Sequence, residues 1–315
     1  MSRPLRALVR LGVVMALGVA TACSGSTPTI GPNDTGSTAA TAPASTPPGS
    51  TDATRKTSAS TSPSPSPSTT TQPSGSSTTN PPATTQASAC RTDTTSFLNR
   101  APGTGKTVAL TFDDGPGPFE AQIATILAQR GIPATFFETG EHATAYPGDI
   151  TSLAAAGFLI GSHSTNHRYP AEVPGGWTLD FVRDQLTSST AVLRKLSGQP
   201  VCVFRPPGGF RDNVLAAAVP LGLTSWMWSV DSADWQQPGQ VTEAATARIV
   251  ANATAVGGQS HPVVLMHAAK ASHEPDSVVS PFRGNTVAAL PRIIDWYASH
   301  GYTFVDLAGH TSLTW

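Results

Sequence analysis

Short apolar runs alternating with longer amphipathic stretches fill the chain from about residue 106 to residue 306, and that rhythm restricts the fold more than any other feature. Thr107–Phe112, Ala134–Glu138, Phe158–Ser162, Val201–Phe204, Leu223–Val230, Pro262–Met266 and Tyr302–Val305 read as strands. Phe119–Gln129, Asp149–Ala156, Leu179–Leu196, Asp212–Leu221, Thr242–Ala253 and Thr286–His300 read as helices between them. Repeated β-α alternation calls for parallel strands, because each parallel partner is reached only through a crossover. The strand runs are apolar through their length instead of alternating, as expected where both sheet faces are covered. Seven of them predict an α/β domain built as a closed or nearly closed parallel barrel, with an open doubly wound sheet as the alternative.

In a parallel barrel all strands deliver their carboxyl ends to one face. Five polar clusters follow strand runs in this chain: Asp113-Asp114-Gly-Pro, His163-Ser-Thr-Asn-His167, Arg205-Pro-Pro-Gly-Gly, Asp231-Ser-Ala-Asp234-Trp235 and Leu265-Met-His267. Taken alone, Asp-Asp-Gly-Pro is also good turn chemistry. Five clusters at five strand ends instead describe one pocket. His163 and His167 are spaced so that one turn aims both imidazoles at a point, and Asp113 or Asp114 completes a three-ligand set. Two nitrogens and one oxygen with open positions suit a catalytic divalent ion, zinc above all, with cobalt, nickel or manganese as alternatives. His142, His261, His273, His300 and His310 lack such a setting and are expected in surface or structural roles.

Not all of the 315 residues suit a globular core. Ser24–Ala89 is nearly all Ser, Thr, Pro, Ala and Gly, with Asp34, Asp52, Arg55 and Lys56 as its charges. Such a segment buries too little apolar surface to offset its ordering entropy, so residues 23–89 are expected to be a disordered linker. Residues 90–315 are then a single catalytic domain of ordinary size. A net charge of -1 with 12% charged residues provides no basic face, so no nucleic-acid partner is expected, and no protein partner is predicted.

Arg3, Arg6 and Arg10 precede the apolar run Leu11–Ala20, the layout of a secretory signal over residues 1–22. Ala20-Thr21-Ala22 is a small-residue cleavage pattern, and Cys23 follows it directly, as in bacterial lipoproteins, although Ala20 stands where that pattern prefers Leu. An exported chain with three cysteines leaves one unpaired. Lipid on Cys23 removes the free thiol and anchors the chain to the membrane, leaving Cys90 and Cys202 for a disulfide; the alternative for Cys202 is a buried small hydrophobe. The expected location is outside the cytoplasm, on the outer membrane face as a lipoprotein, or secreted into the cell wall.

TFDDGP, HSTNH, RPPGG, DSADW and LMH, in this order and at these intervals, resemble the five motifs of the polysaccharide deacetylases, carbohydrate esterase family four. The resemblance covers about Lys106 to Asp306 and implies a distorted (β/α)7-type barrel. It implies Asp114, His163 and His167 as metal ligands, Asp113 as general base, Arg205 as the group orienting it, His267 as general acid and Asp234 as the acid that tunes it. Trp235 and Leu265 match positions that shape the acetyl pocket. Gly208 stands where many members carry an aromatic; it keeps a backbone N–H for the oxyanion but removes a groove wall. The Pro-Gly-rich stretch Arg168–Trp177 suggests a loop over the groove.

The expected activity is metal-dependent removal of acetyl groups from N-acetylhexosamines of a polysaccharide, with release of acetate. Peptidoglycan is the expected substrate, on grounds of location. A chitin-like oligosaccharide, or xylan carrying acetyl esters, is the enzymatic alternative. A catalytically silent module that binds wall glycan is the non-enzymatic one.

Overall fold

A computed structural model describes residues 95–313. Its strands are β1 Thr107–Gly115, β2 Thr135–Glu138, β3 Leu159–Ser162, β4 Val203–Phe204, β5 Thr224–Ser225, β6 Val230–Asp231, β7 Val263–His267 and β8 Thr303–Phe304. Its α-helices are α1 Glu120–Gln129, α2 Gly140–Ala145, α3 Pro147–Ala155, α4 Leu179–Ser197, α5 Val214–Ala218, α6 Glu243–Ala253 and α7 Gly284–Ser299. The sheet runs β5-β4-β3-β2-β1-β7-β6, with β8 beside β1, and each pairing is parallel. This is the curled parallel sheet of a distorted barrel.

β1 shows why its residues build a barrel wall. Val108, Leu110 and Phe112 point outward and pack with Phe136, Ile160, Met266 and the helix residues Ile123, Leu127 and Ile293. Ala109 faces the interior with Phe137, Leu159, Val203, Val263 and Val305. Both faces are therefore buried, and a strand buried on both faces needs apolar residues at successive positions.

One expected strand, Leu223–Val230, is two. Thr224–Ser225 ends one edge of the sheet and Val230–Asp231 ends the other. Between them the backbone has other partners: Met227 N donates to Leu98 O at 2.6 Å, and Leu98 N donates to Ser225 O at 2.9 Å. Ala101 N reaches His261 O at 2.9 Å, so the segment before β1 spans from β5 toward the start of β7. The expected helix over Asp212–Leu221 holds α-geometry only through Ala218 and tightens to a 3-10 turn at Val219–Leu221. Pro220 there has no N–H to continue the α ladder. Among the described residues no helix is long and apolar enough to cross a membrane.

Candidate functional site

The site starts from a glycine inside the barrel. At Gly161 on β3 a Cβ would lie 2.6 Å from Phe137 Cδ1 and 2.8 Å from Val203 Cγ2, so only glycine leaves room for the Phe137 ring. That ring lies beneath Arg205, whose Cζ is 4.3 Å from its centroid. Arg205 is fully buried, and its Nη1 donates to Asp113 Oδ1 at 2.7 Å and to Thr111 Oγ1 at 2.8 Å. Its Nη2 donates to Met227 O at 3.3 Å. Burial pushes the guanidinium pKa down, and the Asp113 carboxylate works against that push. Removing one partner of such a pair strands the other charge, at a cost of about 3–5 kcal/mol.

Asp114, the next residue, turns elsewhere. It adopts φ 71, a left-handed conformation that non-glycine residues rarely hold without support. Its carbonyl is held by His142 Nδ1 at 2.8 Å. Its Oδ1 lies 3.4 Å from His163 Nε2 and 3.3 Å from His167 Nε2. His163 Nδ1 donates to Arg205 O at 2.7 Å, which leaves the Nε2 lone pair facing Asp114.

The ligand atoms of Asp114, His163 and His167 lie within 4.8 Å of one another. Asp114 Oδ1 is buried without a hydrogen-bond partner, an orphan that a cation would satisfy. Burial holds His167 well below the ordinary imidazole pKa, which keeps it in the neutral form that ligates metal. A carboxylate oxygen and two neutral imidazole nitrogens fit a divalent ion with open positions.

His267 stands opposite Asp113 in the β1–β7 register. Its Nδ1 donates to Asp234 Oδ1 at 2.7 Å and its backbone N to Asp234 Oδ2 at 2.9 Å. Thr286 Oγ1 donates to the same Oδ2 at 2.8 Å. Burial alone would lower the His267 pKa, but the Asp234 charge outweighs it and takes the imidazole up to about 9. Burial raises Asp234, and the charge and hydrogen bonds of His267 overcome that, to about 2. An imidazolium is thus available at neutral pH beside the Asp114, His163 and His167 cluster.

A cavity of about 330 Å³ joins these groups; Asp113, Asp114, His163, His167 and His267 line it together with Gly208, Trp235 and Leu265. Arg205 and Asp234 sit behind it as fully buried supports. Gly208 holds φ 58, and a Cβ there would come within 2.9 Å of Tyr169 Cε1. The Tyr169 ring, from the loop over residues 168–177, therefore takes the space beside Gly208, and its hydroxyl donates to Glu274 in the loop after β7. Tyr169 and Glu274 line the cavity; the loop of residues 168–177 is expected over the groove, but nothing in the sequence singles out Tyr169 within it or Glu274 after β7.

Two histidines expected in surface or structural roles belong to the site's support. His142 holds the Asp114 carbonyl and also contacts Ser272 Oγ at 2.9 Å, and the His273 side chain is 95% covered, with its Nε2 3.1 Å from His167 Nδ1. Buried Arg283 adds positive charge near Asp234. Cys202 is disulfide-bonded, whereas Cys23 and Cys90 lie outside the described residues.

The family model described as Polysaccharide deacetylase matches residues 100–226. The chain is 31% identical over 216 residues to a chitooligosaccharide deacetylase of Sinorhizobium fredii, covering 67% of this chain and 96% of that protein. It is 30% identical over 211 residues to a peptidoglycan-N-acetylglucosamine deacetylase of Bacillus cereus, covering 66% of this chain and 89% of that protein. A solved family 4 carbohydrate esterase from Streptomyces lividans, in complex with acetate, aligns with a TM-score of 0.53 at 27% identity, over 64% of this chain and 93% of that one.

Proposed function

The chain belongs to the polysaccharide deacetylase family, and from that membership we propose that this polysaccharide N-deacetylase acts on peptidoglycan, with zinc at its metal centre. One observation carries the chemistry: a single cavity holds a metal-ligand triad, an arginine-held carboxylate and a carboxylate-held imidazole. Cutting an acetamide needs an activated water, a stabilised oxyanion and a proton for the departing nitrogen. Each need has a residue.

A divalent ion held by Asp114, His163 and His167 would supply Lewis-acid polarisation of the acetyl carbonyl and make a bound water more acidic. Asp113, fixed by Arg205 and Thr111, takes the proton of the attacking water. Gly208 lines the cavity and, by its place in the family motif, would offer its backbone N–H to the developing oxyanion. His267, kept cationic by Asp234, gives its proton to the leaving nitrogen, which cannot depart as an anion. Trp235 and Leu265 close around the acetyl methyl group.

Export supports the choice of peptidoglycan. Residues 1–22 are read as a signal peptide, Cys23 as a lipid attachment point and residues 23–89 as a tether that lets the domain search the wall; all lie outside the described residues. Acetate release is to be measured in parallel on peptidoglycan, chitooligosaccharides and acetylated xylan. The expected order places peptidoglycan first, and a clear preference for either of the others overturns the substrate reading.

A further inference from the structure

We propose that His273 is a positioning residue for the metal centre, which accepts the Nδ1 proton of the ligand His167 and is itself held by Glu172. The proposal rests on the metal-dependent reading above. His167 needs outside support, because it sits at φ 57 in the loop after β3. Ser164 Oγ accepts its backbone N–H at 3.0 Å, which fixes the main chain but leaves the ring free to rotate.

The ring is fixed from the far side. His167 Nε2 faces Asp114 Oδ1 at 3.3 Å, and His167 Nδ1 lies 3.1 Å from His273 Nε2. His273 Nδ1 lies in turn 2.9 Å from Glu172 Oε1. Tyr169 wedges the arrangement: its ring is 5.3 Å from the His167 ring and 5.1 Å from that of His273, and its backbone N donates to Glu172 Oε2 at 2.8 Å. Glu172 and His273 thus come from two separate loops, one after β3 and one after β7, that meet on one metal ligand.

Tautomer chemistry gives the contact its direction. A histidine that offers Nε2 to a metal carries its proton on Nδ1, and that proton needs an acceptor. His273 Nε2 is within reach of it, and the His273 proton then sits on Nδ1, where the Glu172 carboxylate accepts it. His273 Nε2 is also 2.9 Å from His167 O. Donation to that carbonyl would leave His167 Nδ1 as an acceptor and move the His167 proton to Nε2, where it blocks the metal. Metal binding therefore selects the arrangement in which His273 accepts.

The test is titration of the full chain with Co(II) and Zn(II), reading the dissociation constant and the Co(II) d–d absorption. His273→Leu is expected to weaken binding about 10–100-fold and to alter the Co(II) spectrum. His273→Gln, whose Oε1 accepts the same proton, stays much closer to wild type. Wild-type affinity and spectrum in His273→Leu overturn the proposal. Should His273→Leu fail to fold, Glu172→Gln decides, with weakened metal binding expected and no change as the contrary result. A wild-type chain that binds neither ion brings down the metal centre itself, which is a separate result from unchanged variants.

Discussion

Asp113 and Asp114 are adjacent in the chain and differ in their nearest partners: Asp113 Oδ1 accepts from Arg205 at 2.7 Å, while Asp114 Oδ1 lies 3.4 Å from His163 and 3.3 Å from His167, and Asp113 Oδ2 lies 3.6 Å from His163. Successive side chains at a strand end diverge, and φ 71 at Asp114 sharpens the divergence. This geometry supports the proposed division of the pair into a base, Asp113, and a metal ligand, Asp114.

Substitution should separate the two roles. Asp113→Asn is expected to keep its metal and lose roughly 10²–10⁴-fold in turnover, the range of a general base. Asp114→Asn is expected to lose metal. Metal content and kcat measured on both variants check this, and equal loss of metal in both would reverse the reading.

The general-acid role proposed for His267 ties the alkaline limb of the pH–rate profile to Asp234. With His267 lifted to about 9, kcat/KM is expected to fall only above about pH 9. Asp234→Asn removes the charge that lifts it, so the fall should move down toward the ordinary imidazole range, about 6.5. The same coupling contributes stability that is full between about 3.8 and 6.5, lost as pH rises through about 9 and lost as pH falls through about 2. A pH–rate profile of Asp234→Asn that overlays wild type contradicts the assignment.

A second titrating unit lies behind β1. Glu120 and Glu138 are buried around Gly115, where a Cβ would overlap both carboxyl groups. Burial, with Asp149 adding to it, pushes Glu120 up to about 8; burial and the neighbouring Glu120 push Glu138 well above the ordinary value, about 4.5. Both bind protons more tightly folded than unfolded. Their stability contribution is thus full below about 4.5 and lost as pH rises through about 8 and beyond. Glu138→Gln should flatten the decline in Tm between about pH 5 and pH 9, and a decline parallel to wild type contradicts this.

Much of this was legible in the residues. Asp113, His163, Arg205 and His267 each end or follow an apolar run, and parallel topology alone brings strand ends together. The support around them was not. His142 and His273 contact Asp114 and His167, and these contacts depend on helix and loop paths with no periodicity to reveal them. Glu120 and Glu138 fall inside an expected helix and at the end of an expected strand, with no spacing that ties them together, and the absent Gly115 side chain leaves the room in which they meet. Trp226–Ser229 reads as a continuation of its strand because apolarity cannot show that Leu98 and Arg205 claim its backbone.

Cys23 is proposed as an anchor from cysteine parity and its place after Ala20-Thr21-Ala22. One acyl chain binds membranes only marginally, so retention relies on the several chains that lipoprotein processing adds. Cys23→Ser should leave catalysis unchanged and shift the protein from the detergent phase to the medium. A wild-type protein found wholly in the aqueous phase and unmodified means ordinary secretion.

The most direct test of the central claim is acetate release from N-acetylglucosamine oligomers and peptidoglycan by the wild type, the chelator-treated wild type and His163→Ala. Metal-dependent deacetylation predicts acetate from the untreated wild type, loss on chelation, recovery when divalent metal is restored, and no recovery in a folded His163→Ala protein. Undiminished acetate release from metal-stripped His163→Ala would contradict it.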